Sequence, residues 1–255
     1  MTLARFLATC AKQAIVAPAE RQSIKRSIKT LRARLDEYFQ GEIAEQIEFG
    51  SYTRQTNLPR SLDELSDVDH MVVFANGGVA PQAYLQRLRR FAEHYYSRSE
   101  LYQSHPTIVL ELNHIKFDLV PALRNFLGVL KIPDREDGWR WTSPSSFSRS
   151  LEERNAQCDG HLKPAIRLTK VWNAANDYPF ASFELENWIV DQSYFMCSEL
   201  PDYFFSIMRN LPAHSLPAKK HARLRQVQAL LAEARRLANS QPQLARAAMS
   251  EVLSF

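Results

Sequence analysis

Apolar residues recur at three- and four-residue intervals between Glu20 and Phe39, at Ile24, Ile28, Leu31, Leu35 and Tyr38/Phe39, with lysine and arginine between them. That period predicts an amphipathic helix, and Gly41 is a natural C-terminal stop. The pattern then shortens. Ile43–Phe49 reads as a strand running into Gly50-Ser51, and Asp67–Phe74 (D-V-D-H-M-V-V-F) as a central strand. Between them, Asn57–Leu65 is a polar loop containing a proline. After a Gly77-Gly78 turn, Tyr84, Leu85, Leu88, Phe91 and Tyr95 mark a helix through Tyr96. Thr107–Leu112 and Ile115–Val120 then form a hairpin over Asn113-His114, with His114 a turn residue.

Beyond Pro121 the periodicity lapses. Gly128–Ser146 carries Pro133, Asp134, Asp137, Gly138, Pro144 and several serines, and reads as a loop-rich connection. Its Trp139 and Trp141 have two readings, as stacking partners for a base or as aromatic anchors. The remainder is helical. His161–Asn176 forms one helix, and Ser182 N-caps a second through Phe195, with Glu184 and Glu186 in its first turn where negative charge is favoured. Ser215-Leu216-Pro217 opens a third, and the last runs from about Pro242 to Leu253. The expected class is α+β, with a mixed-sheet lobe over residues 1–125 and a helical lobe over 126–255.

The chemistry concentrates in the strands. Successive strand residues face opposite ways, so Asp67 and Asp69 point to one side and Val68 to the other. Asp118 rides a second apolar strand, I-K-F-D-L-V. Strand interiors disfavour aspartate, and neighbouring carboxylates repel, so a cation is needed to hold them ionised. Mg²⁺ bridging carboxylates and substrate phosphates is such a cation. Gly50 lets a phosphate approach the main chain, and Ser51 and the N–H groups after it can donate to phosphate oxygens. Taken alone, Gly50-Ser51 reads as a turn with a capping serine.

The order of the pieces carries a resemblance. G-S-Y-T-R-Q-T, S-D-V-D, F-D-L-V-P-A, W-T-S-P, L-T-K-V-W-N and S-F-E-L-E, spanning Phe49 to Glu186, resemble the polymerase-β-like nucleotidyltransferases. Within that superfamily they look like the cGAS/DncV-like (SMODS-type) bacterial branch, which shares its architecture with the oligoadenylate synthases. The resemblance implies a catalytic lobe, a helical lobe and an N-terminal helix bracing both. It implies Asp67, Asp69 and Asp118 as catalytic residues and as ligands of two ions, Mg²⁺ or Mn²⁺. It implies Gly50, Ser51, Arg54, Lys170 and Ser182 as nucleotide contacts, with Arg167 as a further one. By position alone, Lys170 is a surface lysine and Ser182 a helix cap. The spacer before Asp67 is a few residues longer than the family's usual one.

The implied activity joins nucleoside triphosphates with loss of pyrophosphate into a cyclic di- or trinucleotide messenger of anti-phage defence. The implied partners are the triphosphates, an oligonucleotide acceptor or activator, and a downstream effector protein. Within the same class stand template-independent addition to an oligonucleotide or tRNA end, and transfer to a small molecule or protein. Gln55, where minimal antitoxin-type transferases carry glycine, counts against the last. A catalytically silent nucleotide sensor is the alternative from another class.

Composition adds bounds. In 255 residues there is room for a large core. The net charge of +4 suits a polyanionic small substrate and is too small to argue for duplex binding. The basic face of the first helix (Lys25, Arg26, Lys29, Arg32) reads as a solvated surface. Cys10, Cys158 and Cys197 form no C-x-x-C and imply reduced thiols, hence a cytoplasmic location. No apolar run approaches the roughly 18 residues that span a membrane.

Overall fold

The structure is a computed structural model that describes residues 1–134 and 138–253. Contacts divide the chain into a sheet unit, Ala17–Arg60 with Leu65–Ser148, and a helical unit, Met1–Val16 with Ser61–Glu64 and Arg149–Phe255. The long segment of the helical unit begins at Arg149, whereas the expected boundary lies at 125. The reason is that the stretch after Pro121 keeps adding strands.

Helix α1 (Leu3–Gln13), absent from the sequence expectations, counts with the helical unit. The sheet unit opens with α2 (Pro18–Phe39), which starts on a proline at its first turn and ends at Gln40 in the left-handed region (φ 42°). Strand β1 (Ile43–Phe49) follows, then the single turn α3 (Gly50–Arg54) and β2 (Asp67–Phe74). Helix α4 (Pro81–Tyr95) precedes β3 (Glu100–Ser104), β4 (Thr107–Glu111) and β5 (Lys116–Arg124). The expected loop at 128–146 instead holds a hairpin, β6 (Leu130–Pro133) and β7 (Trp139–Thr142). Its turn, including Asp137, lies outside the described residues.

The strand order is β1-β2-β5-β4-β3, with β6 on the far end of β5 and β7 on β6. Only the β2–β5 pair is parallel among the described strands; it is buried at the centre. One face meets α2 and α4. Phe74 packs edge-on to Phe39 at 5.3 Å and against Tyr84 at 4.9 Å, and Tyr84 reaches Trp139 at 5.6 Å. Trp139 is thus an anchor within the sheet unit, while Trp141 is 63% exposed. Polar bonds pin α2 to β1 on this face: Arg32 donates to Glu48 at 2.9 Å and Gln46 donates to Asp36 at 2.6 Å. The opposite face carries Met71, Val73, Val120, Ala122, Leu130 and Ile132 as one cluster. Each of the larger side chains among these, when fully buried, contributes roughly 1.5–3 kcal/mol relative to exposure.

The helical unit comprises most of α5 (Pro144–Gln157), then α6 (Leu162–Ala175), α7 (Ser182–Asp191), α8 (Leu200–Asn210), α9 (Ala218–Leu237) and α10 (Pro242–Leu253). Helix α6 is its core, burying Ile166, Leu168 and Trp172 among α1, α8 and α10. Helix α7 stops at Asp191, four residues before the expected Phe195, which is 87% exposed. None of the described helices is long and apolar enough to cross a membrane.

Candidate active site

Parallel pairing of β2 with β5 sets Asp69 opposite Asp118 and Asp67 opposite Lys116. All four side chains share the face that carries Met71 and Val120 farther along the strands. One strand face therefore changes from charged at its entry to apolar at its centre.

Gly50 closes on this cluster. Phe49 pairs with Asp69 across the β1–β2 ladder, and the chain then turns at Gly50 with φ +74°. A β-carbon at residue 50 would lie 1.7 Å from Asp69 Oδ2 and 2.6 Å from its Cγ. Only glycine permits this approach. Beyond it α3 holds Ser51 half-buried, Thr53 Oγ1 donates to the Gly50 carbonyl at 3.0 Å, and Gln55 ends the turn at φ 61°. The amides of Thr56 and Asn57 both return to the Ser51 carbonyl. Residues Gly50–Arg54 thus form a single helical turn after the strand.

The electrostatics are those of crowded anions. Burial is the largest cause lifting Asp69 well above the usual carboxylate range; Asp67 and Asp118 add to it, and Arg54 and Lys116 oppose it. Asp118 is pushed up to about 7, by burial first and by Asp67 next. Burial alone would draw Lys116 down, but Asp67 and Asp118 outweigh it and hold the ammonium above its ordinary value. The Lys116 Nζ stands 3.4 Å from Asp67 Oδ2 and 3.9 Å from Asp118 Oδ1.

These residues fit a hard divalent cation. Asp118 Oδ1 is buried without a hydrogen-bond partner. The three carboxylates are oxygen donors of the kind that Mg²⁺ and Mn²⁺ select. Among the described residues no group of three acidic, histidine or cysteine side chains is already set to hold a metal ion, and the Lys116 ammonium lies against two of the three carboxylates. Asp67, Asp69 and Asp118 are the side chains that could hold such an ion.

The structure gathers Asp67, Asp69, Asp118, Gly50, Ser51 and Arg54 in the sheet unit. Arg54 is buried, with its guanidinium 5.0 Å over the Phe147 ring and its charge felt by Asp69. Lys170, Ser182 and Arg167 belong to the helical unit. Lys170 is not a surface lysine: its side chain is 5% exposed and donates to Glu186 Oε1 at 3.0 Å, itself 1% exposed. Arg167 is buried. Ser182 is not the N-cap. Ala181 holds that position, no side chain caps the helix, and Ser182 is its exposed first residue, because the extended backbone that precedes a helix falls one residue earlier. Glu186 sits past the first turn as the buried partner of Lys170. Lys116 was missed by sequence reasoning, although the alternation in K-F-D places it on the face of Asp118.

A mixed sheet with an aspartate pair on one strand, a third aspartate in register on its parallel neighbour and a Gly-Ser turn against them defines a polymerase-β-like nucleotidyltransferase fold. The chain belongs to the family described as the Second Messenger Oligonucleotide or Dinucleotide Synthetase (SMODS) domain, whose model matches residues 1–155. The family is of the metal-dependent nucleotidyltransferase type. The chain is similar to the CBASS oligonucleotide cyclase CdnC of Escherichia coli (strain KTE188), 23% identical over an alignment of 182 residues that covers 64% of this chain and 55% of the relative. The match thus spans little more than half the length of that curated relative. Among solved structures it is similar to E. coli MS115-1 CdnC with ATP (TM-score 0.73, 16% identity, 99% of this chain and 98% of that one). It is also similar to Vibrio cholerae DncV cyclic AMP-GMP synthase with the linear intermediate 5′ pppA(3′,5′)pG (TM-score 0.80, 9% identity, 99% and 95%). At these identities the likeness is one of fold.

Proposed function

We propose that this chain is a nucleotidyltransferase that joins nucleoside triphosphates into a cyclic di- or trinucleotide, a messenger for an effector protein in anti-phage defence, made in the cytoplasm. The observation that carries the reading is the approach of Gly50 to Asp69, with Asp67 and Asp118 beside it. That arrangement leaves backbone where a triphosphate would lie and carboxylates where cations would gather.

Two divalent ions, Mg²⁺ or Mn²⁺, would neutralise the triphosphate and the departing pyrophosphate and make the attacking hydroxyl more acidic. The residues of the chain do the positioning. Asp67 and Asp69 fix the triphosphate end of the cluster. Gly50 keeps the main chain open to phosphate oxygens, and the Ser51 hydroxyl donates to them. Asp118, whose Oδ1 lacks a hydrogen-bond partner, takes the proton of the attacking hydroxyl. That oxygen bonds to the α-phosphorus as the bond to the β-phosphate oxygen breaks, and pyrophosphate leaves in line. Arg54, at the buried side, limits the repulsion among the carboxylates. Lys170 and Ser182 are further proposed phosphate contacts, and for Lys170 this requires exchanging Glu186 for a phosphate.

The test is incubation with each labelled triphosphate, singly and mixed, followed by phosphatase treatment and mass analysis. A phosphatase-resistant product at the mass of a cyclic dimer or trimer, lost in Asp69→Asn, is expected. A ladder of linear oligomers would instead show template-independent polymerisation. Pyrophosphate release only with an added oligonucleotide would reveal an acceptor or activator. Turnover at the wild-type rate in Asp69→Asn would refute the assignment.

A further inference from the structure

We propose that Lys116 is a built-in counter-ion of the carboxylate cluster, and that a divalent ion binds by displacing its ammonium from Asp67 and Asp118. The inference rests on the metal-dependent reading above and assigns a residue that reading does not use.

Three features of the fold put the ammonium there. Parallel register sets Lys116 beside Asp67 across the β2–β5 ladder, and strand alternation sets it on the face of Asp118 two residues on. Antiparallel pairing of β4 with β5 sets Glu111 on its other side. The ammonium therefore lies in a row of carboxylates drawn from three adjacent strands. It is nearest Asp67, at 3.4 Å, and within 3.9 Å of the Asp118 oxygen that has no hydrogen bond. The residue is buried at 8% exposure. A solvated lysine at a strand end would have no reason to bury its stem and turn its charge inward.

Mg²⁺ or Mn²⁺ needs the same oxygens at about 2.0–2.1 Å, in near-octahedral geometry. A monocation in contact with two of those carboxylates both blocks their lone pairs and repels the incoming ion. Lysine suits an exchange: its charge is a point at the end of a flexible stem and can withdraw without rearranging the strand. Glu111, its register neighbour, is the acceptor on that withdrawal path; Arg60 holds one of its oxygens at 2.6 Å. With Lys116 in place the metal-free cluster stays assembled. Once it has withdrawn, the cluster is open to the ion. Lys116 is in this sense a positioning residue that sets the ion affinity.

The experiment uses the full chain without nucleotide, with Mn²⁺ alone as the probe, and reads thermal unfolding together with free Mn²⁺ by electron paramagnetic resonance. Lys116→Met should melt lower than wild type without metal, show a larger rise in melting temperature with Mn²⁺, and half-saturate at several-fold lower Mn²⁺. Lys116→Arg, which keeps the charge, should stay near wild type. A merely structural lysine would lower the melting temperature equally with and without Mn²⁺ and leave half-saturation unchanged, which would overturn the proposal while the metal reading stands. Wild type that binds no more Mn²⁺ than Asp69→Asn would overturn both. Should Lys116→Met not fold, Lys116→Gln carries the same comparison.

Discussion

Gly50 and Asp69 define the site at the scale of single residues. A methyl group at position 50 would occupy the space of the Asp69 carboxylate, on a backbone at φ +74° that L side chains resist. Gly50→Ala therefore either rotates Asp69 away or shifts the turn. A displacement of about 1 Å costs on the order of 100-fold in rate. We expect that loss in product formation, with far-UV circular dichroism unchanged. Asp118 supports a second prediction. Its carboxyl titrates at about 7 in the folded chain against an ordinary 3.8, so between those values the folded state binds more protons than the unfolded state. Its contribution to stability is then greatest at low pH and declines as pH rises towards 7. In chelator, Asp118→Asn should remove that decline, and the difference in unfolding free energy from wild type should grow from pH 4 to pH 7. A constant difference would contradict the assigned environment.

At the scale of elements, β2 and β5 are the central strands, flanked by β1, β4 and β6, and residues such as Val72 and Leu119 are fully buried. Hydrogen exchange should be slowest in this pair and fast in β3 and β7, two of the sheet's edge strands. Between α6 and α7, the Lys170–Glu186 pair is almost wholly buried. Lys170→Met would remove a buried ion-pair partner of Glu186 and should destabilise the chain by about 3–5 kcal/mol in urea unfolding, whereas the double Lys170→Met, Glu186→Leu should recover much of that loss. The sequence displayed the apolar stripes of α2, α4 and α6 and the alternation of β2, β4 and β5, because each such element shows one repeating period. It did not display β6 and β7. Pro133, Gly138 and Pro144 have the composition of a loop, and the short strands between them are held by pairing to β5, a partner distant in the chain. Nor did it display α1, whose short run of small and apolar residues finds its partners in α6, α8 and α10.

For the whole molecule the consequence is a site that does not depend on metal for its assembly. Arg54 and Lys116 offset the carboxylates from within the chain, and the apolar cluster of Met71, Val73, Val120 and Ala122 continues the same strand face beyond them. Chelation should thus abolish turnover and leave the fold intact. The check is loss of product in EDTA, recovery with Mn²⁺, and a circular dichroism spectrum that does not change between the two.

The sequence alone determined the identities and parities: two aspartates on one side of a strand, a third on another apolar strand, and a glycine before a serine. These follow from local rules, since strand alternation and glycine's freedom need no knowledge of the rest of the chain. Tertiary structure decided which strands are neighbours, and so which charges meet. Only the parallel register of β2 and β5 sets Lys116 beside Asp67 and Asp118 opposite Asp69. Only folding buries Lys170 against Glu186, sixteen residues away. Coulomb energies and desolvation depend on distance and surroundings in space, and sequence separation does not report them.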